Sequence, residues 1–277
     1  MTTGTSDTPI RLLIVGPNGK MGRAMIQIAA CHPNVSLAGG VGPKGCSYCG
    51  MDLSQIAGLR EFTGAIAHDS IKGIIDACDV VLECTNARTS IEYLQTCISH
   101  NKALVSGTTG FSEQERALFE AAGKNIPVVL ASNTSKLAHI FFDVINYIAA
   151  RVGQKADIDI IEVHDRDKLD APSGTSKEIG HNIAAVLGKN FDELARYQRM
   201  GSGIRPKHTL DYTSIRSGKH NGRHTVMFGF DNEHMEVSIR GDNMLPYAEG
   251  MIKAALFISN QEPGCYTIKQ VFAADLS

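Results

Sequence analysis

The feature that most constrains this chain is a glycine-rich turn, Gly16-Pro17-Asn18-Gly19-Lys20-Met21-Gly22, lodged between an apolar run and a helical repeat. Arg11 to Val15 is a short apolar segment ended by glycine and reads as a buried strand. Lys20 to Ala30 places Met21, Ala24, Met25 and Ile28 at helical spacing. A diphosphate is held by backbone N–H groups at a helix N-terminus, where a side chain would obstruct it. Glycines permit the tight turn and the close approach, and Gly22 lets the helix lie against the sheet. The spacing is G-x-x-G-x-x-G rather than G-x-G-x-x-G, so the motif takes its meaning from its position between strand and helix. The plainer alternative is a glycine turn without a ligand.

The same rhythm continues. Val35 to Val41, Asp79 to Cys84, Ala103 to Ser106 and Pro127 to Ala131 read as strands. Helices are expected from about Ser90 to His100, and to Ala122 from Ser112, an N-cap with Glu115 at the capping-box position. Strands separated by helices imply crossovers and a parallel sheet covered on both faces. The pattern then changes. Lys136 to Val152, Pro172 to Leu187 and Tyr247 to Asn260 read as helices. Asp157 to Val163, Asp211 to Arg216, His224 to Phe230 and His234 to Arg240 read as strands of an open, mostly antiparallel sheet, with a turn at Gly218 to Gly222. Asn190 to His208 has no period and reads as a long, mobile loop. The expected fold class is α/β: an N-terminal Rossmann-type parallel-sheet domain plus a C-terminal α+β domain with an open mixed or antiparallel sheet. The expected boundaries are 1–133 for dinucleotide binding, 134–245 for substrate binding and oligomerisation, and 246–277 for C-terminal helices returning to the first domain.

A chain of 277 residues that is 43% hydrophobic can fill two modest cores. A net charge of −2 sets up no field to attract nucleic acid or an anionic membrane, so neither is expected as a partner. No stretch approaches the roughly 20 apolar residues of a membrane span. Met1 to Pro9 lacks a charged segment followed by an apolar core, and reads as a frayed arm rather than a secretory signal. Cysteines in odd number, scattered through strands and helices, read as reduced thiols in a cytoplasm. Cys46-Ser47-Tyr48-Cys49 has C-x-x-C spacing, but zinc would want a second pair, so these too read as ordinary thiols and no metal is expected.

Four segments carry chemistry beyond the glycine turn. An NAD site places Asp or Glu just after the second strand, against the ribose 2′-hydroxyl. Here the segment is Val41-Gly42-Pro43-Lys44-Gly45, with a lysine and no carboxylate. A cation suits a 2′-phosphate, so NADPH is the expected cofactor and NADH the alternative; Lys44 as a solvated loop charge is the bland reading. Lys20 and Arg23 are further candidates for phosphate contact. Gly107-Thr108-Thr109-Gly110-Phe111 closes a parallel strand at the edge where open α/β sheets bind ligands. The run from His164 through Lys168 to Thr175 links a strand end to a helix start. Ser173, Gly174 and Thr175 offer N–H donors and a hydroxyl to a carboxylate. Lys168 adds a positive charge, and His164 a group that donates a proton near neutral pH. By default His164 would be structural, Lys168 a surface charge and residues 165–167 a solvated charge cluster; the neighbouring anion loop singles them out. Met21 reads as helix packing, Asp170 as a loop cap and His224 as a residue that caps or fills the sheet.

Together with Glu162-Val163-His164 and the segment from Gly222 to Phe228, these motifs make the chain resemble the 4-hydroxy-tetrahydrodipicolinate (dihydrodipicolinate) reductase family of bacterial lysine and diaminopimelate biosynthesis, over nearly its whole length. The most specific stretch is K-x-D-A-P-S-G-T at Lys168 to Thr175. The resemblance implies a homotetramer built on the open sheet, and hydride transfer from NAD(P)H to a cyclic imine carrying two carboxylates. It places His164 on the proton donor and Lys168 on the second catalytic position. It assigns Thr109, Asp165, Ser173, Gly174 and Thr175 to substrate. With Lys44 from its place after the second strand, the candidate cofactor residues are Gly16, Pro17, Asn18, Gly19, Lys20, Met21, Gly22, Lys44, Thr85, Gly107, Thr108, Thr109, Ala131, Ser132, Asn133 and Thr134. Four places depart from the family pattern: Gly42 for the ribose acid, Asp165 for a second histidine, Thr134 within N-F-S-x-G, and Ile239 to Met244 for H-K-A-x-x-R. An aspartate roughly 4 Å from a substrate anion costs about 1–4 kcal/mol unless Arg166 neutralises it or it turns away. Two other expectations stay open: a related reductase of another cyclic imine or keto-acid-derived substrate, and a non-catalytic nucleotide-binding or assembly protein.

Overall fold

The computed structural model describes residues 8–274. The expected frayed arm lies outside them except for Thr8 and Pro9, which are exposed. The first half runs β1 (Ile10–Val15), α1 (Lys20–Cys31), β2 (Val35–Val41), α2 (Leu53–Ala57), β3 (Ala67–His68), β4 (Val80–Glu83), α3 (Ala87–Ser99), β5 (Ala103–Ser106), α4 (Glu113–Ala122) and β6 (Pro127–Leu130). It continues with α5 (Lys136–Val152), β7 (Asp157–His164), α6 (Gly174–Val186), α7 (Phe191–Leu194), β8 (Ala195–Tyr197), β9 (Leu210–Arg216), β10 (Arg223–Gly229) and β11 (His234–Arg240). The chain ends with α8 (Leu245–Ile258), β12 (Gly264–Tyr266) and α9 (Ile268–Ala273). It forms two compact units: one runs up to Ser135 and resumes at Met244, the other spans Lys136–Asn243.

The first unit is a sheet of order β12-β6-β5-β4-β1-β2-β3 with every pairing parallel. Its strands are apolar without alternation because both faces are covered. In β1, Leu12 and Ile14 pack with Met25 of α1 and Ile252 of α8. Leu13 and Val15 pack on the other side with Leu94 of α3 and Phe119 of α4. Strand order reverses about β1, and the carboxyl ends at such a switch point are where open α/β sheets hold ligands.

The second unit is a sheet of order β11-β10-β7-β9-β8. It is mixed rather than mostly antiparallel: β10 pairs antiparallel with β7 and β11, whereas β9 pairs parallel with β7 and β8. The chain leaves β7 through a helical crossover, and a crossover returns the next strand in the same direction. Ile158, Ile160, Tyr212, Val226 and Phe228 form the covered face, with Phe141, Phe142 and Ile145 of α5 and Ile179 and Ile183 of α6.

Two further expectations are corrected. The segment from Asn190 to His208 is not one long loop. Asn190 caps α7, β8 joins the sheet, and Arg205 donates to Asp159 Oδ2 at 2.6 Å and to the carbonyls of Ile158 and Thr209. Four-residue helices and three-residue strands are too short to show a period; tertiary pairing makes them. Cys46 and Cys49 are not ordinary thiols but are joined in a disulfide, because the turn between them brings their Cα atoms to 5.6 Å. The other five cysteines are free. Among the described residues no helix is long and apolar enough to cross a membrane.

Candidate active site

The first cluster lies along the carboxyl edge of the parallel sheet. Gly16 follows β1 with φ +74° and its N–H donates to the Val41 carbonyl, tying the turn to β2. Gly19 is the N-cap of α1 and brings no side-chain cap, so the first N–H groups of the helix are not taken by their own N-cap. A Cβ on Gly22 would lie 2.1 Å from the Gly16 carbonyl oxygen, so only glycine lets the helix start this close to the turn. A glycine cradle with uncapped amides fits the diphosphate of a dinucleotide. Asn18 is exposed and holds Arg23, whose guanidinium donates to its side chain and carbonyl; Arg23 therefore braces the turn. Met21 packs against the core, as its helical spacing suggests. Lys44 is exposed just past β2.

Thr85, Gly107, Thr108 and Ala131 follow β4, β5 and β6, which are neighbours in the sheet, so the fold gathers them beside the glycine turn. What holds them is a residue the sequence reading missed. Glu83 closes β4 fully buried, with no cation on it among the described residues. It accepts from the Thr85 amide (2.6 Å) and hydroxyl (2.5 Å), and from the hydroxyls of Thr108 (2.8 Å), Ser90 (2.6 Å) and Ser106 (2.8 Å). The signal in the sequence was a carboxylate at the end of an apolar strand, directly ahead of Thr85. Thr109 is exposed beyond this network. Ser132 is exposed, Asn133 accepts from the Ser135 amide, and Thr134 donates to the Tyr247 carbonyl at the start of α8.

The second cluster is assembled by strand register. Glu162 and His164 alternate onto one face of β7. His224 stands opposite Glu162 on β10, and Arg216 opposite His164 on β9. The four side chains therefore converge. Glu162, fully buried, accepts from the Ser173 amide (3.1 Å), the Ser176 hydroxyl (2.8 Å) and the Arg216 guanidinium (2.7 Å). His164 Nδ1 lies 3.5 Å from its carboxylate and His224 Nε2 3.8 Å. Ser173 caps α6 by accepting from the Ser176 amide, and its hydroxyl lies 3.2 Å from His224 Nε2. The amides of Gly174 and Thr175 find no partner among the described residues at this helix start, and neither residue carries a charge. Lys168 is paired with Asp170 at 2.7 Å. Asp165 turns one oxygen back onto the Asp167 amide at 3.0 Å, so that oxygen closes its own turn.

Electrostatics follow from burial and neighbours. Burial alone would raise the Glu162 carboxyl, but hydrogen bonds from Ser173, Arg216, Ser176 and Ser214 outweigh it and hold it at about 2. Burial, together with the Lys168 and Arg216 cations, pushes His164 below its usual range, against the pull of Glu162. Burial and the adjacent His164 push His224 down to about 4. Both rings are therefore neutral at neutral pH. The ligand atoms of Glu162, His164 and His224 lie within 4.8 Å of one another, a proximity the sequence spacing had not suggested. Arg216 already occupies the carboxylate, and its charge opposes a metal ion there.

Residues 10–134 match the family profile "Dihydrodipicolinate reductase, N-terminus", and residues 138–272 the profile "Dihydrodipicolinate reductase, C-terminus". The chain is 36% identical over 262 residues to a 4-hydroxy-tetrahydrodipicolinate reductase of Hahella chejuensis, covering 94% of this chain and 98% of that protein. A dihydrodipicolinate reductase from Paenisporosarcina sp. TG-14, solved with dipicolinate bound, superposes with TM-score 0.64 at 22% identity, covering 94% of this chain and 98% of that one. An amine dehydrogenase from Mycobacterium smegmatis gives 0.62 at 12% identity, covering 94% and 95%. These two likenesses support the fold. Matched by both family profiles over most of its length, the chain belongs to the dihydrodipicolinate reductase family.

Proposed function

We propose that this chain reduces 4-hydroxy-tetrahydrodipicolinate to tetrahydrodipicolinate, the 4-hydroxyl leaving as water, with NADPH as the preferred cofactor. The observation that carries the reading is the cluster around Glu162: this buried carboxylate gathers Arg216 and the Ser173–Ser176 helix start beside His164, with Lys168 paired to Asp170. When bound, the nicotinamide supplies the hydride. The glycine turn at Gly16 to Gly22 holds the diphosphate, and Thr85, Gly107, Thr108, Thr109 and residues 131–134 line the nicotinamide side. The Gly174 and Thr175 amides, the Ser173 turn and Lys168 hold the substrate carboxylates. Asp165, folded onto its own turn, stands beside them without presenting that oxygen to the anion.

His164 carries the proton. Its Nδ1 faces Glu162, and Gly222, which places no Cβ within reach, leaves Nε2 open; a Cβ there would come within 3.0 Å. The ring is neutral when the site is empty, but two incoming carboxylates favour its charged form. His164 then gains a proton as substrate arrives and gives it up from Nε2 as electrons move towards the ring nitrogen. Lys44 stands where a 2′-phosphate favours a cation and supports NADPH over NADH.

The test is loss of NADPH absorbance on adding freshly generated 4-hydroxy-tetrahydrodipicolinate. Turnover supports the reading; tight NADPH binding with no turnover of that compound overturns it. We also propose a homotetramer in the cytoplasm. The sheet face away from α5 and α6 carries Ile161, Val163, Ile215 and Met227, all partly or largely exposed. Light scattering that returns a monomer rules the tetramer out.

A further inference from the structure

Just past β2 the chain builds a structure that the glycine turn does not need. Gly42 has no side chain, and a Cβ on it would lie 2.4 Å from the Tyr48 hydroxyl and 2.7 Å from two atoms of its ring. The Tyr48 ring thus fills the space into which a side chain at position 42 would grow. The loop that brings it there is closed by the Cys46–Cys49 bridge, which brackets Tyr48 within four residues. It is further pinned by Cys46 N–H to the Pro43 carbonyl, Met51 N–H to the Tyr48 carbonyl, Gly45 N–H to Asp69 and Gly50 N–H to the Ala67 carbonyl. The ring packs on the core, but the hydroxyl meets no hydrogen-bond partner among the described residues. Burial keeps that hydroxyl above the ordinary tyrosine range, so it stays a neutral donor.

The end of the second strand is where a dinucleotide fold reads the adenosine ribose. A carboxylate there accepts from a 2′-hydroxyl and repels a 2′-phosphate. A phenol donates to the phosphate without charge repulsion. We propose that Tyr48, clamped against Gly42 by the Cys46–Cys49 bridge, is a specificity-determining residue that recognises the 2′-phosphate of NADPH alongside Lys44. The inference rests on the NADPH reading given above. It explains why glycine stands at position 42: any side chain there would displace the ring.

Calorimetry of NADPH and NADH with the wild-type protein, Tyr48→Phe and a Cys46→Ser/Cys49→Ser double variant tests it. Tyr48→Phe keeps the ring and its packing, so a purely structural role leaves the ratio of the two affinities unmoved. The expected result is an NADPH Kd raised about tenfold by Tyr48→Phe, the size of one hydrogen bond to a charged group, with the NADH Kd unchanged. The double variant moves in the same direction as the loop loosens. A wild-type preference for NADPH that Tyr48→Phe retains overturns the assignment of Tyr48 and spares the NADPH reading. A wild-type protein without that preference overturns the NADPH reading, and this inference with it. A double variant that keeps the preference while Tyr48→Phe loses it removes the bridge from the proposal.

Discussion

A buried carboxylate organises each cluster, Glu83 in the first unit and Glu162 in the second, and each side chain around them has a definable share. His164→Gln removes the proposed proton donor and leaves the residues of the glycine turn unchanged. The expected outcome is a kcat lowered about 10²- to 10⁴-fold with the NADPH Kd unchanged, read by steady-state kinetics and calorimetry. Glu83→Gln substitutes an amide, which accepts through only one atom, where the native carboxylate takes five donors. At least one buried hydroxyl or amide is then left unpaired, at a cost of about 1–3 kcal/mol in urea unfolding, and the KM for NADPH rises as Thr85 and Thr108 loosen. His164, Lys168 and the residues from Ser173 to Thr175 were legible in the sequence because they sit in one run. Glu83 and Arg216 were not: their partners come from β4, β5, α3, β7 and β9, and no spacing along the chain announces such a meeting.

Among the elements, α1 depends most on a single atom. Gly22→Ala places a Cβ 2.1 Å from the Gly16 oxygen, so the helix must move off the turn. We expect loss of measurable dinucleotide binding by calorimetry while circular dichroism still reports a helical protein. Arg205 is the pin of the segment between α7 and β9, and Arg205→Ala leaves Asp159 and buried Asp211 without their cation. Its cost is on the order of 2 kcal/mol in urea unfolding, with faster proteolysis between residues 198 and 208. Long elements with a period declared themselves: α5 spans Lys136–Val152 as expected, and Ser112 caps α4 with Glu115 closing the capping box. The pieces that escaped were α2, β3, α7, β8 and β12. Each is five residues or fewer, and the strands among them exist only because a neighbouring strand supplies the hydrogen bonds.

For the whole molecule, acid should act through the histidines. His224 is held at about 4 in the folded state against roughly 6.5 unfolded. Its folded value is depressed, so its contribution is complete above pH 6.5 and is lost as pH falls towards 4, up to about 3 kcal/mol. Urea midpoints should drop across that window, and His224→Asn should flatten the drop; an unchanged slope would sink the assignment. Lys44→Ala should weaken NADPH more than NADH in the same calorimetric assay, and an equal effect on both removes Lys44 from the phosphate site. Local patterning was enough to show the Rossmann-type first half, the change of rhythm after it, and the run from His164 to Thr175 that we propose binds the substrate anion, because periodicity, caps and glycine turns are properties of adjacent residues. Strand pairing decided that the second sheet is mixed and that Glu162 gathers His164, His224 and Arg216. Those contacts join residues distant in sequence, and their energy exists only once the backbone has brought them together.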